Sequence, residues 1–191
     1  MEGIDRLLPL LGRHHPGTLR HCHSVAMHMF EWSACMDFSA AEMNKAFASG
    51  MMHDIGKYCV SAELLSTAGA LAGAEQIEFE LHPVYGETIL QAYGLKEIGP
   101  FVLYHHERYD GAGYPQGLKE AAIPFLSRMI AICDVFDELT NRRGPQENLD
   151  GQQALAEIER RAGAQFDPWL CEQFIKYIQK ISRLYYAKEL S

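Results

Sequence analysis

Apolar residues recur along this chain with the period of an α-helix, and no segment shows the clean alternation of a half-buried strand. Ser39 with Glu42 has the pattern of a capping box, and Asp167 before Pro168 is typical of a helix start. We therefore predict an all-α, single-domain helical bundle of about seven to nine helices over residues 1–191. The predicted helices cover residues 4–11, 18–35, 40–58, 74–81, 83–93, 95–106, 124–140, 151–162 and 168–187. Residues 74–81 and 83–93 form either one helix or two abutting helices, and residues 62–66 form a single turn.

The longest predicted connection between these helices is the segment Glu107–Ile123. Loops of this length are usually either functional or disordered. This one contains Asp110-Gly111-Ala112-Gly113-Tyr114-Pro115, in which glycine and proline restrict the backbone to a few shapes. The adjacent pair His105-His106 comes directly before it. The pattern indicates a pair of metal ligands followed by a loop of fixed shape.

Composition and charge exclude several classes of protein. The net charge of −8 is unsuited to binding duplex nucleic acid, which requires a basic face. No apolar run approaches the roughly 18 residues that span a membrane, and the N-terminus lacks the pattern of a signal peptide. The five cysteines are scattered without a Cys-x-x-Cys pair, which favours reduced thiols over a disulfide framework or a zinc ribbon. We therefore expect a cytoplasmic protein.

The remaining chemistry is concentrated in histidines and acids, because all nine histidines lie within the first 106 residues. His53-Asp54 joins an imidazole to a carboxylate that can bridge two ions, and Lys57 can face the same site. The alternative for this stretch is a solvated helix end. His82 is either a ligand or a satisfied, capping histidine. Asp134 lies in an apolar run, where an acid needs a cation or several hydrogen-bond donors.

Together the candidates exceed what one metal ion needs, and two adjacent ions sharing Asp54 would use them all. Such a centre, bridged by hydroxide, is suited to in-line attack at phosphorus. Lys57 would add positive charge at a phosphate oxygen. Asp137, one turn after Asp134, could accept a hydrogen bond from a ligand histidine. The full set of candidate ligands is His21, His53, Asp54, His82, His105, His106 and Asp134.

Five motifs carry a resemblance to a known family: His53–Lys57 (HDIGK), His82–Gly86 (HPVYG), His105–Pro115 (HHERYDGAGYP), Pro124–Thr140 and Ala162–Pro168. In combination they resemble the HD-GYP family, a subgroup of the HD-domain metal-dependent phosphohydrolases, over residues 17–180. The resemblance implies an HD-type helical bundle. It also implies hydrolysis of cyclic di-GMP to the linear dinucleotide pGpG or to GMP, and related members prefer cyclic GMP-AMP.

The resemblance further implies specific roles for individual residues. His21, His53, Asp54 and Asp134 would hold one divalent ion, and Asp54, His82, His105 and His106 the other, with iron or manganese as the usual metals. Asp54 and Lys57 would be catalytic. Substrate contacts would come from Lys57, Arg108, Asp110, Gly113, Tyr114 and Arg143. The loop Gly111–Pro115 would shape the substrate mouth or dock a diguanylate cyclase or a sensor protein, and an oligomer is compatible with the pattern.

Some positions depart from the family pattern. Ser24 replaces a common arginine, and Gly17 replaces the glutamate with which some members bind a third ion, so we expect two ions. Arg143-Gly144-Pro145 stands in place of Arg-Pro-Tyr. These changes keep two alternatives open. One is an HD-type phosphohydrolase for another nucleotide or cyclic dinucleotide, and the other is a non-catalytic module that senses a cyclic dinucleotide or docks a partner.

Overall fold

A computed structural model describes residues 2–67, 71–141 and 148–189. The regular secondary structure in these ranges is helical, apart from one isolated β-bridge between Ala162 and Phe166. One described helix, Ala62–Leu65, is a single turn, and nine are longer, which confirms the predicted all-α class. The α-helices are α1 (Glu2–His14), α2 (Pro16–Cys35), α3 (Ala40–Met52), α4 (Ala62–Leu65), α5 (Ala74–Glu80), α6 (His82–Ala92), α7 (Gly99–Leu103), α8 (Phe125–Thr140), α9 (Gly151–Arg160) and α10 (Pro168–Glu189). Short 3-10 helices cover Ile55–Cys59 and Glu120–Ala122.

The centre of the fold is α8, as its largely apolar sequence predicts. Its apolar side chains pack with those of α2, α9 and α10, where Trp32, Ile130 and Phe174 are fully buried. Burying one such side chain contributes about 1.5–3 kcal/mol. The same helix also buries Asp134 and Asp137, so it delivers two carboxylates to the interior on an apolar scaffold.

A second apolar cluster joins α1, α2, α3 and α6 around side chains such as Leu11, Met52 and Leu90. Here α3 lies very close to α2, because a Cβ at Gly50 would stand 2.9 Å from the Cα of Ala26. The close approach explains the glycine in the middle of α3. It also brings the end of α3 beside the part of α2 that carries candidate ligands.

Two predicted helices were too long. Residues 40–58 form α3 only as far as Met52, and after a turn the chain continues as the 3-10 helix. The reason is tertiary: that 3-10 helix packs directly on the backbone of α6, and a Cβ at Gly56 would lie 1.8 Å from the carbonyl oxygen of His82. No local signal in α3 reveals this contact.

The predicted helix 95–106 is shortened at both ends to α7, Gly99–Leu103. At the start, Gly94 has a φ of 75° and Leu95 N–H donates to the carbonyl of Leu90, which closes α6 with a left-handed cap. Residues 104–106 form a turn after α7. The two adjacent histidines therefore lie outside regular helix, where both rings can face one side.

Three further findings complete the fold. Asp150 caps α9 through a capping box with Gln153, and Asp167 accepts hydrogen bonds from the first turn of α10, as the sequence predicts. All five cysteines are free. None of the helices in the described ranges combines the length and apolar character that crossing a bilayer requires.

Candidate metal centre

The two carboxylate oxygens of Asp54 face two different sets of imidazoles. Oδ1 lies 3.3 Å from Nε2 of His82 and 4.0 Å from Nε2 of His105. Oδ2 lies 3.5 Å from Nε2 of His53 and 3.9 Å from Nε2 of His21. Asp54 is buried in the turn between α3 and the 3-10 helix, so its position is fixed by both elements. One carboxylate thus stands between two clusters of nitrogen donors.

These clusters contain all seven predicted ligands. The His82 group consists of Asp54, His82, His105 and His106, with donor atoms within 4.8 Å of one another. The His21 group consists of His21, His53 and Asp54, at the same spacing, together with Asp134. Asp134 joins it because its Oδ1 lies 2.8 Å from Nε2 of His21 and 3.9 Å from Nε2 of His53.

The rings of His53, His82 and His105 are oriented by the backbone. In each, Nδ1–H donates to the carbonyl three residues earlier, at 2.7, 2.7 and 2.6 Å. A carbonyl only accepts, so Nδ1 carries the proton and the lone pair of Nε2 points into the centre. All three residues follow the end of a helical turn, where carbonyls lack partners within the helix.

The centre contains an unusual concentration of unsatisfied polar atoms. Within the described part of the chain, Nε2 of His53, His82, His105 and His106 and Oδ1 of Asp54 are buried without a hydrogen-bond partner. Native proteins rarely leave buried polar atoms in this condition. Converging lone pairs of imidazole and carboxylate are the donor set that divalent transition metals prefer, so the residues present fit the two implied ions.

His21 differs from the other rings because its Nδ1 donates to a carboxylate. The acceptor is Oδ2 of Asp137, at 2.6 Å. Burial alone would lower the pKa of His21, but hydrogen bonds to Asp134 and Asp137 raise it to about 10. In the absence of ions, the positive charge of the protonated His21 ring offsets part of the negative charge of Asp134 and Asp137. Asp137 thus accepts a hydrogen bond from a histidine of the candidate ligand set, as the sequence suggested.

Two rings of the His82 group, those of His105 and His106, have pKa values below the usual range. Burial, followed by the nearby His82, lowers the pKa of His106 to about 3. Burial and the neighbouring imidazoles likewise hold the pKa of His105 well below its usual value. Both side chains are therefore unprotonated at neutral pH and do not have to lose a proton before binding a metal.

Lys57 lies beside the bridging acid. Its Nζ is 2.5 Å from Oδ2 of Asp54 and 5.3 Å from the centre of the Phe79 ring. Burial would lower the pKa of Lys57, but the charges of Asp54 and Asp134 raise it. The ammonium therefore stays charged and is held at the edge of the centre.

The loop after His106 is organised by Glu107, a buried acid whose role the sequence analysis missed. Its Oε1 accepts from Gln116 N–H at 2.7 Å, and its Oε2 accepts from Leu118 N–H at 3.0 Å. The Tyr114 ring stacks on His106 with centroids 4.9 Å apart. The sequence signal that could have revealed this role is an acidic residue between two adjacent histidines and a long loop, because backbone N–H groups in a loop need hydrogen-bond acceptors.

The outer side of this loop rests on the segment before α10. Tyr109 N–H donates to Gln165 and Asp110 N–H to Ala164, at 3.1 and 2.9 Å. Below them a buried ion pair joins Arg128 of α8 to Asp167. The predicted motifs at residues 105–115 and 162–168 are therefore two parts of one structural unit.

The predicted substrate-contact residues lie in different surroundings. Lys57 and Tyr114 lie at the centre, as above. Arg108 and Asp110 form a bidentate ion pair with each other, at 3.1 and 2.7 Å, and each side chain is about a third exposed. Gly113 packs on backbone, since a Cβ there would lie 2.3 Å from Arg108 N. Arg143 lies outside the described residues.

Comparisons with known proteins find similar sequences among cyclic dinucleotide phosphodiesterases. The chain is 31% identical over 171 residues to a cyclic di-GMP phosphodiesterase of Thermotoga maritima, covering 88% of this chain and 46% of that protein. It is 42% identical over 104 residues to 3'3'-cGAMP-specific phosphodiesterase 1 of Vibrio cholerae, covering 53% and 24%. The chain thus spans less than half the length of these curated relatives.

Two further matches concern the fold and the family. The HD domain of the L. monocytogenes phosphodiesterase PgpH has a TM-score of 0.66 to this chain at 16% identity, covering 94% of this chain and 98% of that one. The sequence model of the HD domain family matches residues 7–170 of this chain. The chain belongs to the HD domain family.

Proposed function

We propose that this chain is a metal-dependent phosphodiesterase of the HD-GYP type that hydrolyses cyclic di-GMP to pGpG, GMP or both. The observation that carries the proposal is the position of Asp54, whose two oxygens face two separate groups of nitrogen donors. The relatives named for cyclic di-GMP hydrolysis support the substrate class.

The ligand set fits two divalent ions, with iron or manganese as the expected metals. The His21 group would hold one and the His82 group the other, with Asp54 shared between them. Ions at such a site lower the pKa of bound water and offset the charge of a phosphate. His105 and His106 of the His82 group are already neutral, whereas binding in the His21 group requires His21 to give up its proton.

Lys57 is the residue of this chain best placed to contact the phosphate that is cleaved. Its ammonium is charged and lies at the edge of the centre beside Asp54. A fixed positive charge there stabilises the negative charge that develops on phosphate oxygens during water attack. Cleavage breaks the bond between phosphorus and the 3′ oxygen, which opens the ring of the dinucleotide.

Tyr114 would line the substrate mouth on the opposite side, above His106. Burial and nearby acids, Glu80 first among them, raise the pKa of its phenol, so the hydroxyl stays neutral. A neutral phenol can donate a hydrogen bond to a phosphate or a base. Docking of a diguanylate cyclase or sensor protein on Gly111–Pro115, a cytoplasmic location and oligomer formation stay predictions.

A substrate panel tests the proposal. Metal-loaded protein is incubated with cyclic di-GMP, cyclic GMP-AMP and cyclic di-AMP, and the products are separated by chromatography. We expect cyclic di-GMP to be hydrolysed fastest and Asp54→Ala to abolish turnover. Asp5→Ala, which removes an exposed acid of α1, serves as the matched control and keeps full activity.

The same panel separates the alternative functions. Faster hydrolysis of cyclic GMP-AMP would favour the alternative substrate, which the relative of Vibrio cholerae supports. Binding of a cyclic dinucleotide without turnover in the metal-loaded protein would favour a sensor. Absence of both binding and turnover would refute the proposal.

A further inference from the structure

The two donor groups differ in charge and in what holds their histidines. We propose that the two ion positions are unequal: the His21 group binds its ion more tightly and fills first, and Asp137 is the positioning residue responsible. This inference rests on the proposed metal-dependent function. It concerns the order of loading, which the identity of the ligands alone does not determine.

Charge favours the His21 group. Asp54 is shared, so the difference comes from Asp134, whose Oδ1 lies 2.8 Å from His21, and from Asp137 behind the same ring. The His82 group adds three imidazoles and no further carboxylate. Lys57 offsets one negative charge, since its Nζ lies 2.5 Å from Oδ2 of Asp54. When the ion replaces the proton of His21, the His21 group still keeps one more negative charge than the His82 group. A divalent ion is attracted to that charge more strongly than the single proton that it displaces.

Hydrogen bonding favours the same group. His53, His82 and His105 donate to neutral backbone carbonyls, whereas His21 donates to the carboxylate of Asp137 at 2.6 Å. An anionic acceptor makes the opposite ring nitrogen a stronger donor to a metal than a neutral acceptor does. Among the four candidate-ligand rings whose Nδ1 contact is described, His21 is the one supported in this way.

Asp137 is held firmly enough to exert this effect. It is 3% exposed, and its other oxygen accepts from Nδ2 of Asn141 at 2.8 Å. Ser24 of α2 also lies within hydrogen-bonding reach of its carboxylate. With contacts to both α2 and α8, the carboxylate cannot turn away from His21 without breaking several hydrogen bonds.

The order of loading can be measured on the metal-free protein. Mn²⁺ is added anaerobically, and binding is followed by calorimetry and by electron paramagnetic resonance, which distinguishes a single Mn²⁺ from a coupled pair. We expect two binding events whose affinities differ by roughly tenfold or more. His82→Ala should keep the tighter event, and His21→Ala should remove it.

The role of Asp137 is tested by Asp137→Asn, which keeps the size and an acceptor oxygen but removes the charge. We expect the tighter event to weaken about 10- to 100-fold and the weaker event to stay unchanged. Asp137→Glu restores the charge and should recover part of the loss. Asp150→Asn is the matched control, because asparagine caps α9 as well as aspartate does, and both events should be unchanged.

Several results would overturn the inference: two events of equal affinity in the unaltered protein, a tighter event that survives His21→Ala, or equal weakening of both events by Asp137→Asn. The first and second need no Asp137 variant, so a variant that fails to fold does not decide the matter. Unequal binding without turnover of any cyclic dinucleotide would support this inference and refute the proposed function. Equal binding with turnover would do the reverse.

Discussion

Replacing Gly56 with alanine should push apart the two elements that meet at the metal centre. A Cβ at this position would lie 1.8 Å from the carbonyl oxygen of His82 and 2.5 Å from the backbone nitrogen of Gly86. Non-bonded contacts to carbon are comfortable at about 3.5 Å, so the backbones must separate by roughly 1–2 Å. No side-chain rotation relieves the clash, because the obstructing atoms are main chain. Overpacking of this kind costs about 1–3 kcal/mol of folding free energy.

The larger effect should be on the centre itself. Asp54 precedes the 3-10 helix and His82 begins α6, so the 3.3 Å distance between Oδ1 and Nε2 would increase with the separation. A misplacement of about 1 Å at reacting groups can reduce the rate roughly 100-fold. We therefore expect Gly56→Ala to lower both the metal content and the turnover of a cyclic dinucleotide.

Urea denaturation of the metal-free protein measures the stability change, and elemental analysis with product chromatography measures the rest. Gly151→Ala is the matched control, since nothing lies within 4 Å of its added Cβ at the start of α9. That variant should be unchanged or more stable by about 0.4–1 kcal/mol. Unaltered stability and metal content in Gly56→Ala would refute the steric reasoning.

Three further outcomes are expected. Glu107→Gln should lose one of its accepted backbone hydrogen bonds, destabilise the protein by about 1–3 kcal/mol and speed tryptic cleavage at Lys119; unchanged cleavage would contradict it. Lys57→Met should retain metal but lower kcat about 100- to 1,000-fold, as measured by steady-state kinetics at full metal loading. An unchanged kcat would contradict this prediction. In metal-free protein, the pKa of His21 is raised from 6.5 to about 10, so its stabilisation is full below pH 6.5 and is lost as the pH rises through about 10. Urea denaturation across that range should show a decline that His21→Ala flattens.

The candidate ligands could be chosen from the sequence because their chemistry is visible there. Asp134 is an acid in an apolar run, and His53-Asp54 combines two types of metal-donor group. A cation was therefore expected near each of these positions, whatever the fold. Their convergence in space agrees with that reasoning. The sequence also suggested that Asp137 accepts a hydrogen bond from a histidine. That this histidine is His21 follows from the packing of α2 against α8, which the sequence does not show.

The extent of the helices was not predictable to the same degree. Within residues 53–58, Gly56 indicated close packing or fraying of the helix, but not where α3 ends, because the cause is the contact of Gly56 with α6, far along the chain. The partners of Glu107 and the pairing of Arg108 with Asp110 depend on the loop's path. A sequence shows that such side chains are polar, but their choice of partner follows from which backbone groups the fold leaves free.

The hydrogen bonds that orient three of the histidines give the centre an uneven resistance to mutation. Those bonds end on backbone carbonyls of Gly50, Phe79 and Val102. A substitution at Phe79 or Val102 leaves the carbonyl in place, whereas Gly50 has no room for a side chain against α2. The fourth bond ends on a side chain, at Asp137, which a single codon change can remove. Genetic drift can therefore change two of these three supporting positions without removing the hydrogen bond that orients a ring, whereas one substitution at Asp137 removes both the acceptor and its negative charge.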